Sequence, residues 1–135
     1  MSRLLKALRR LRVRWNRYLW IRDLRSGKFK QGQGLLCAVV RGGQREYCCL
    51  GVGLVTLGFE FRDSHGCAMG NVIALAEPTE DITSVLLPGE HFRTSFGLAE
   101  VEVTTLVHMN DCNVPFPEIA DRIAKFPITL PEEEK

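Results

Sequence analysis

Glu46-Tyr47-Cys48-Cys49-Leu50-Gly51-Val52-Gly53-Leu54-Val55-Thr56-Leu57-Gly58 is the stretch on which the fold turns. It is strongly apolar and holds two of the five cysteines. Its opening residues, Arg45 to Cys48 or Cys49, suit a strand that follows a turn at Gly42-Gly43 and pairs with Leu35–Val40. Periodicity alone leaves Cys49–Leu57 open between strand and buried helix. We favour a helix starting near Cys48, because Leu50, Leu54 and Leu57 share a side, and Gly58 would stop it. Gly51 and Gly53 each cost such a helix about 1 kcal/mol relative to alanine. They make sense if another backbone packs closely there.

Before this run, Ser2–Arg25 predicts one amphipathic helix, capped by Ser2 and stopped at Gly27. Leu4, Leu8, Leu11, Trp15 and Tyr18 recur at three- and four-residue spacing, and Leu5, Leu19 and Ile21 widen the stripe. Lys28–Gly34 follows as a loop or the start of an extended segment. After the central run, turn signals at Asp63-Ser64-His65-Gly66 suggest a hairpin within 59–75, and Glu77–Asp81 an acidic loop. Val85–Glu90 should lead into a short helix ending near Phe96-Gly97, and helices are expected from Ala99 or Glu100 to Met109 and from Pro117 to Lys125 or Phe126. The last would bury Phe116, Ile119, Ala120 and Ile123. Asn110-Asp111-Cys112-Asn113 is a turn in which Asp111 or Asn113 is expected to cap that helix.

These elements describe an α+β fold: a small antiparallel sheet, the basic N-terminal helix and a C-terminal helix pair. At 135 residues the chain suits one domain. We divide it into a basic helical extension, 1–15, a body, 16–130, and an acidic tail, 131–135. The charge-free run 48–59 is broken by three glycines and falls short of the roughly 20 residues of a bilayer span. The basic start lacks an h-region and cleavage site, so no secretory signal is expected. Five cysteines at 37, 48, 49, 67 and 112 form no secreted disulfide framework; buried free thiols in a reducing cytoplasm are expected.

The net charge of +2 conceals an asymmetry: residues 1–30 hold eleven Lys/Arg against Asp23 alone, and 31–135 carry a net −8. The basic end should therefore meet something acidic. Arg9, Arg10, Arg12, Arg14, Trp15, Arg17 and Trp20 are the candidate partner contacts. For 16–25 the reading that the stripe covers the core is the stronger one; for 1–15 the excess of arginine favours interaction. Nucleic acid is the alternative partner for this helix; a membrane surface is disfavoured, and self-association stays open. A helix-turn-helix is a poor match, since Pro117–Lys125 sets Glu118 and Asp121 against Arg122 and Lys125.

Other chemistry is weaker. Lys28, Lys30, Gln31 and Gln33 with nearby amides offer an anion or small-ligand site, although a polar connecting turn is the plainer reading. Cys48 or Cys49 near a helix N-terminus would gain thiolate character from the dipole, with His65, His91 or His108 as bases, yet no local motif ties a histidine to a thiol. We expect neither catalysis nor a cofactor. No pair shows C-x-x-C spacing, so no metal is expected.

Three pieces together resemble a widespread family of small phage and prophage proteins: Leu24-Arg25-Ser26-Gly27-Lys28-Phe29-Lys30-Gln31-Gly32, Tyr47-Cys48-Cys49-Leu50-Gly51-Val52, and Met109-Asn110-Asp111 followed by Phe116–Ile123. They occur in that family's order and cover about a third of the chain from position 20 onward. The resemblance implies fold and origin without a mechanism, in a context where small proteins bind and inhibit host machinery in the host cytoplasm.

Overall fold

Residues 2–39, 44–59, 61, 63–69, 72–75 and 89–131 are described by a computed structural model, with residues 39, 63–69 and 72–75 described by their backbone. The central run is a helix, as its leucine spacing suggests: α2 spans Cys49–Thr56. Cys48 stands at its N-cap, with the thiol sulfur accepting from the Gly51 amide at 3.4 Å. The helix is buried on every side through Leu54, and Gly58 leaves it with φ +98°. Gly51 is required by close approach, since a Cβ there would lie 1.8 Å from the Leu36 carbonyl oxygen. At Gly53 a Cβ would meet the rings of Phe92 and Trp20.

Helix α1 covers Arg3–Arg25 without interruption. Ser2 caps it, its Oγ accepting from the Leu5 amide at 3.2 Å, and Gly27 turns the chain away at φ +75°. The division after residue 15 therefore falls inside one unbroken helix, and Val13, in the extension, is already buried.

Among the described residues five strands form the sheet: β1 Lys30–Gln31, β2 Cys37–Val39, β3 Arg45–Tyr47, β4 Asp63–Met69 and β5 Val72–Leu75. Their order is β1-β3-β2-β5-β4. The sheet is antiparallel except at its β1 edge, where Lys30 and Gln31 run parallel to Glu46 and Tyr47. Asp63–Gly66 is strand rather than turn; its pairing with β5 slips between Asp63 and Ala68. The expected turn at 42–43, the acidic loop at 77–81 and the tail at 132–135 lie outside the described residues.

Three helices complete the body: α3 Glu90–Phe96, α4 Glu100–Asp111 and α5 Phe116–Lys125. Gly97 stops α3 in the left-handed region at φ +63°. The Glu102 carboxylate accepts from the Ala99 amide at 2.8 Å and closes the first turn of α4. Phe116, Ile119, Ala120 and Ile123 are buried, as their spacing predicts. They join Trp20, Leu24, Leu36, Cys49, Leu50, Val52, Leu54, Phe92, Phe96 and Leu106 in one core centred on α2.

Candidate functional site

Helix α1 has two working faces. Val13, Arg17, Trp20 and Leu24 recur at four, three and four residues and are all buried. The Trp20 ring lies against Phe92 and Phe96, with centroids 5.5 and 4.3 Å away, and its indole N–H donates to the Cys49 carbonyl at 3.0 Å. Arg17 donates through Nε to Phe96 O at 2.6 Å, through Nη1 to Phe126 O at 2.6 Å, and through Nη2 to Gly97 O and Pro127 O, both at 2.9 Å. These carbonyls close the C-terminal ends of α3 and α5, where helices lack internal donors. Burial draws the Arg17 guanidinium below its ordinary value, and the nearby Glu102 carboxylate pulls it back up. Asn16 Nδ2 donates to Ser95 O at 2.9 Å, and Arg10 Nη1 to Ile128 O at 3.4 Å.

Two of the expected partner contacts are thereby corrected. Arg17 is 6% exposed and Trp20 0%, so both hold the helix to the body and neither reaches a partner. Their 13–17–20–24 spacing was the available signal, and the arginine in its middle hid it.

The outer face is the reverse. Leu4, Leu5, Leu8, Leu11, Trp15 and Tyr18 are each more than half exposed, Leu4 at 69% and Trp15 at 59%. A shift of two residues along a helix is a rotation of about 200°, so this stripe points directly away from the docked face. It does not cover the core. Trp15 and Tyr18 stack on each other at 5.5 Å. Arg9, Arg12 and Arg14 are exposed and Arg10 half-buried, and no acid occurs between Arg3 and Arg22. The seven expected contacts thus separate into an outward set, Arg12, Arg14 and Trp15, and an inward pair, with Arg9 and Arg10 between them.

At the other end of the molecule the 28–33 segment is occupied with its own fold. Lys30 Nζ lies 3.3 Å from Glu46 Oε2 and 3.3 Å from Gln44 Oε1. Gln31 Nε2 donates to Asn110 Oδ1 at 3.1 Å and to Val114 O at 2.7 Å, and the Gln33 amide donates to Asn113 Oδ1. Lys28 is exposed, and its amide donates to Ser26 Oγ at 3.2 Å. The expected anion site is corrected: both glutamine amides are turned to the α4–α5 connection and one of the two lysines is paired with a glutamate. The capping role expected of Asp111 or Asn113 is filled by neither, for Pro115 stands at the N-cap of α5 and no side chain caps that helix. Asn110 is the working residue there. Its Oδ1 accepts from the Cys49 amide at 3.1 Å as well as from Gln31, and its Nδ2 donates to Gly32 O at 2.8 Å.

A pocket of about 270 Å³ lies beside this knot, between Gly34, Leu35, Cys48–Leu50, Val107, Asn110 and Asp111. It is mostly apolar, and its two thiols are poorly suited to attack. Burial pushes the Cys48 thiol up to about 11 from an ordinary 9.0, against backbone N–H groups that lower it; burial and the adjacent thiol raise Cys49 too. The helix dipole expected to favour thiolate is outweighed by desolvation. His91 and His108 are exposed, and His108 Nε2 lies 3.7 Å from Cys112, an exposed thiol on the following turn. Among the described residues no three His, Cys, Asp or Glu side chains gather as a metal site; the side chains of His65 and Cys67 lie outside that description. No described helix is long and apolar enough to cross a membrane. Comparison with protein-family models, curated proteins and solved structures finds no match.

Proposed function

We propose that this chain is a non-catalytic, phage-type accessory protein that binds and inhibits a host protein through the outer face of α1. One observation carries the reading: six large apolar side chains stand exposed on the side of α1 opposite its docked face, bordered by arginines. Monomeric proteins seldom leave a contiguous apolar patch of more than about 300–600 Å² without an interaction to explain it. The raised thiols at Cys48 and Cys49 favour this over a thiol enzyme. The resemblance of residues 24–32, 47–52 and 109–123 to phage proteins supports the setting.

The test compares intact protein with a Leu8→Glu/Leu11→Glu variant, both immobilised in bacterial lysate with and without nuclease. A host protein retained in stoichiometric amount by the intact form and lost from the variant, with unchanged melting temperature, supports the reading. Retention that disappears with nuclease would make nucleic acid the partner through Arg9, Arg12 and Arg14. Retention of nothing by either form would sink it.

A further inference from the structure

The outer stripe of α1 has a more particular geometry than exposure alone. Leu4, Leu8, Leu11, Trp15 and Tyr18 are spaced four, three, four and three residues apart, a mean of 3.5. That is the repeat of a coiled-coil seam. At 100° per residue the five side chains fall within an arc of about 80°, the narrow stripe of a helix that packs against one other helix. Leu5 and Leu19 extend it on one side only at its two ends. At mid-length it is bordered by Arg12 and Arg14, each about 80° from its centre. In heptad terms Leu8 and Trp15 occupy a, Leu4, Leu11 and Tyr18 occupy d, and Arg12 and Arg14 are the e and g residues that select a partner by charge. Both arginines are exposed.

We propose that the partner presents an amphipathic helix with acidic flanking positions, and that the two helices pair along this seam. The inference rests on the binding-protein reading above and assigns the partner's chemistry. Charge complementarity carries it. From Arg3 to Arg22 the helix holds eight Lys/Arg and no acid, so glutamate or aspartate opposite Arg12 and Arg14 gains ion pairs that no basic or neutral helix offers. A second copy brings two such helices alongside with no opposite charge to exchange, and pairs like-charged surfaces along their length. A lipid interface takes a wider apolar arc than one bordered by arginines at mid-length. The exposed area of the six side chains is on the order of 700 Å², close to the roughly 800 Å² that one side of a standard interface buries. Because Arg17 and Trp20 hold the opposite face to the body, the seam is presented on a pre-formed, uninterrupted helix, and little ordering cost remains on this side of the complex.

The experiment titrates the full chain with two synthetic 21-residue helical peptides, both with leucine at a and d, one with glutamate and the other with lysine at e and g. Trp15 is the reporter, since Trp20 is already out of water. The expected result is a saturable blue shift with the glutamate peptide, at least tenfold tighter than with the lysine peptide and absent in Trp15→Phe. Arg12→Glu with Arg14→Glu should reverse the preference. Leu8→Glu/Leu11→Glu should weaken binding at least tenfold at an unchanged melting temperature. Equal binding of both peptides, or of neither, overturns the proposal. So does binding to vesicles of mixed phosphatidylcholine and phosphatidylglycerol when neither peptide binds, or sedimentation of the free protein as a dimer with Trp15 already blue-shifted. A host protein still captured through Leu8 and Leu11, with no discrimination between the peptides, would overturn the acidic-helix chemistry and leave the binding-protein reading standing.

Discussion

Val13, Arg17, Trp20 and Leu24 on one side of α1, and Leu4, Leu8, Leu11, Trp15 and Tyr18 on the other, are built from nearly the same residue types. The inner row buries an arginine and a tryptophan completely enough to lock the helix down, whereas the outer row leaves four leucines and two aromatic rings in water, counting Leu5. Hydropathy does not separate the rows; the second row is if anything the more apolar. Complementarity does. Arg17 is buried because the ends of α3 and α5 set four carbonyl oxygens at the reach of one guanidinium. Trp20 is buried because Phe92, Phe96 and the glycine at 53 leave an indole-shaped space. A side chain goes inside where the rest of the chain has a surface for it. Among the described residues the outer row has no such surface.

That contrast can be broken by measurement. Trp20→Ala should cost the most, about 3–5 kcal/mol, through lost burial and an emptied space, read as a fall in the urea midpoint. Arg17→Met should cost about 3 kcal/mol: the stem is kept, and four inward carbonyls lose a charged donor. A loss below 1 kcal/mol would mean that water replaces the guanidinium and that the inner face is less sealed than drawn. The buried thiols beside Asn110 give a pH signature of their own. Cys48 is held protonated up to about 11 in the folded chain, against an ordinary 9.0. Its contribution is therefore complete below pH 9 and is lost as pH rises towards 11, because only the unfolded state releases the proton in that window. Two units correspond to about 2–3 kcal/mol. Denaturation at pH 8, 9 and 10.5 should show the decline, and Cys48→Ala should lessen it, the remainder coming from Cys37 and Cys49, whose thiols burial raises in the same way. Trp15→Ala and Leu11→Ala should move the urea midpoint least, within about 0.5 kcal/mol either way. A cost from Trp15→Ala comparable to that of Trp20→Ala would erase the distinction between the faces.

Local signals made much of the fold legible. Ser2, Gly27, Gly58 and Gly97 punctuate the helices where their chemistry suits a cap or a left-handed turn. Gly51 was legible as a point of close approach, and the Leu36 carbonyl is what approaches. What could not be read was which face of α1 docks. The leucine-rich row is the natural candidate by periodicity, and a buried arginine is invisible to periodicity because its partners sit 79 to 110 residues away. The same distance hid the role of Asn110. Beside Asp111 and before a proline-led helix it resembles part of a capping turn, and only the fold brings the Cys49 amide and Gln31 to it. Lys30 and Gln33, set in a polar glycine-rich stretch, suggest ligand chemistry until Glu46 and Asn113 are placed beside them.

The four bonds of Arg17 also carry an order of events. Phe126 and Pro127 are made more than a hundred positions after the helix they secure. While the polypeptide is still being synthesised, its first helix has no Phe126 or Pro127 to hold, and both of its apolar rows stand open to whatever is near the ribosome. The growing chain is at its most adhesive before Phe126 and Pro127 are made, and a truncated product ending short of Phe126 would keep that property permanently.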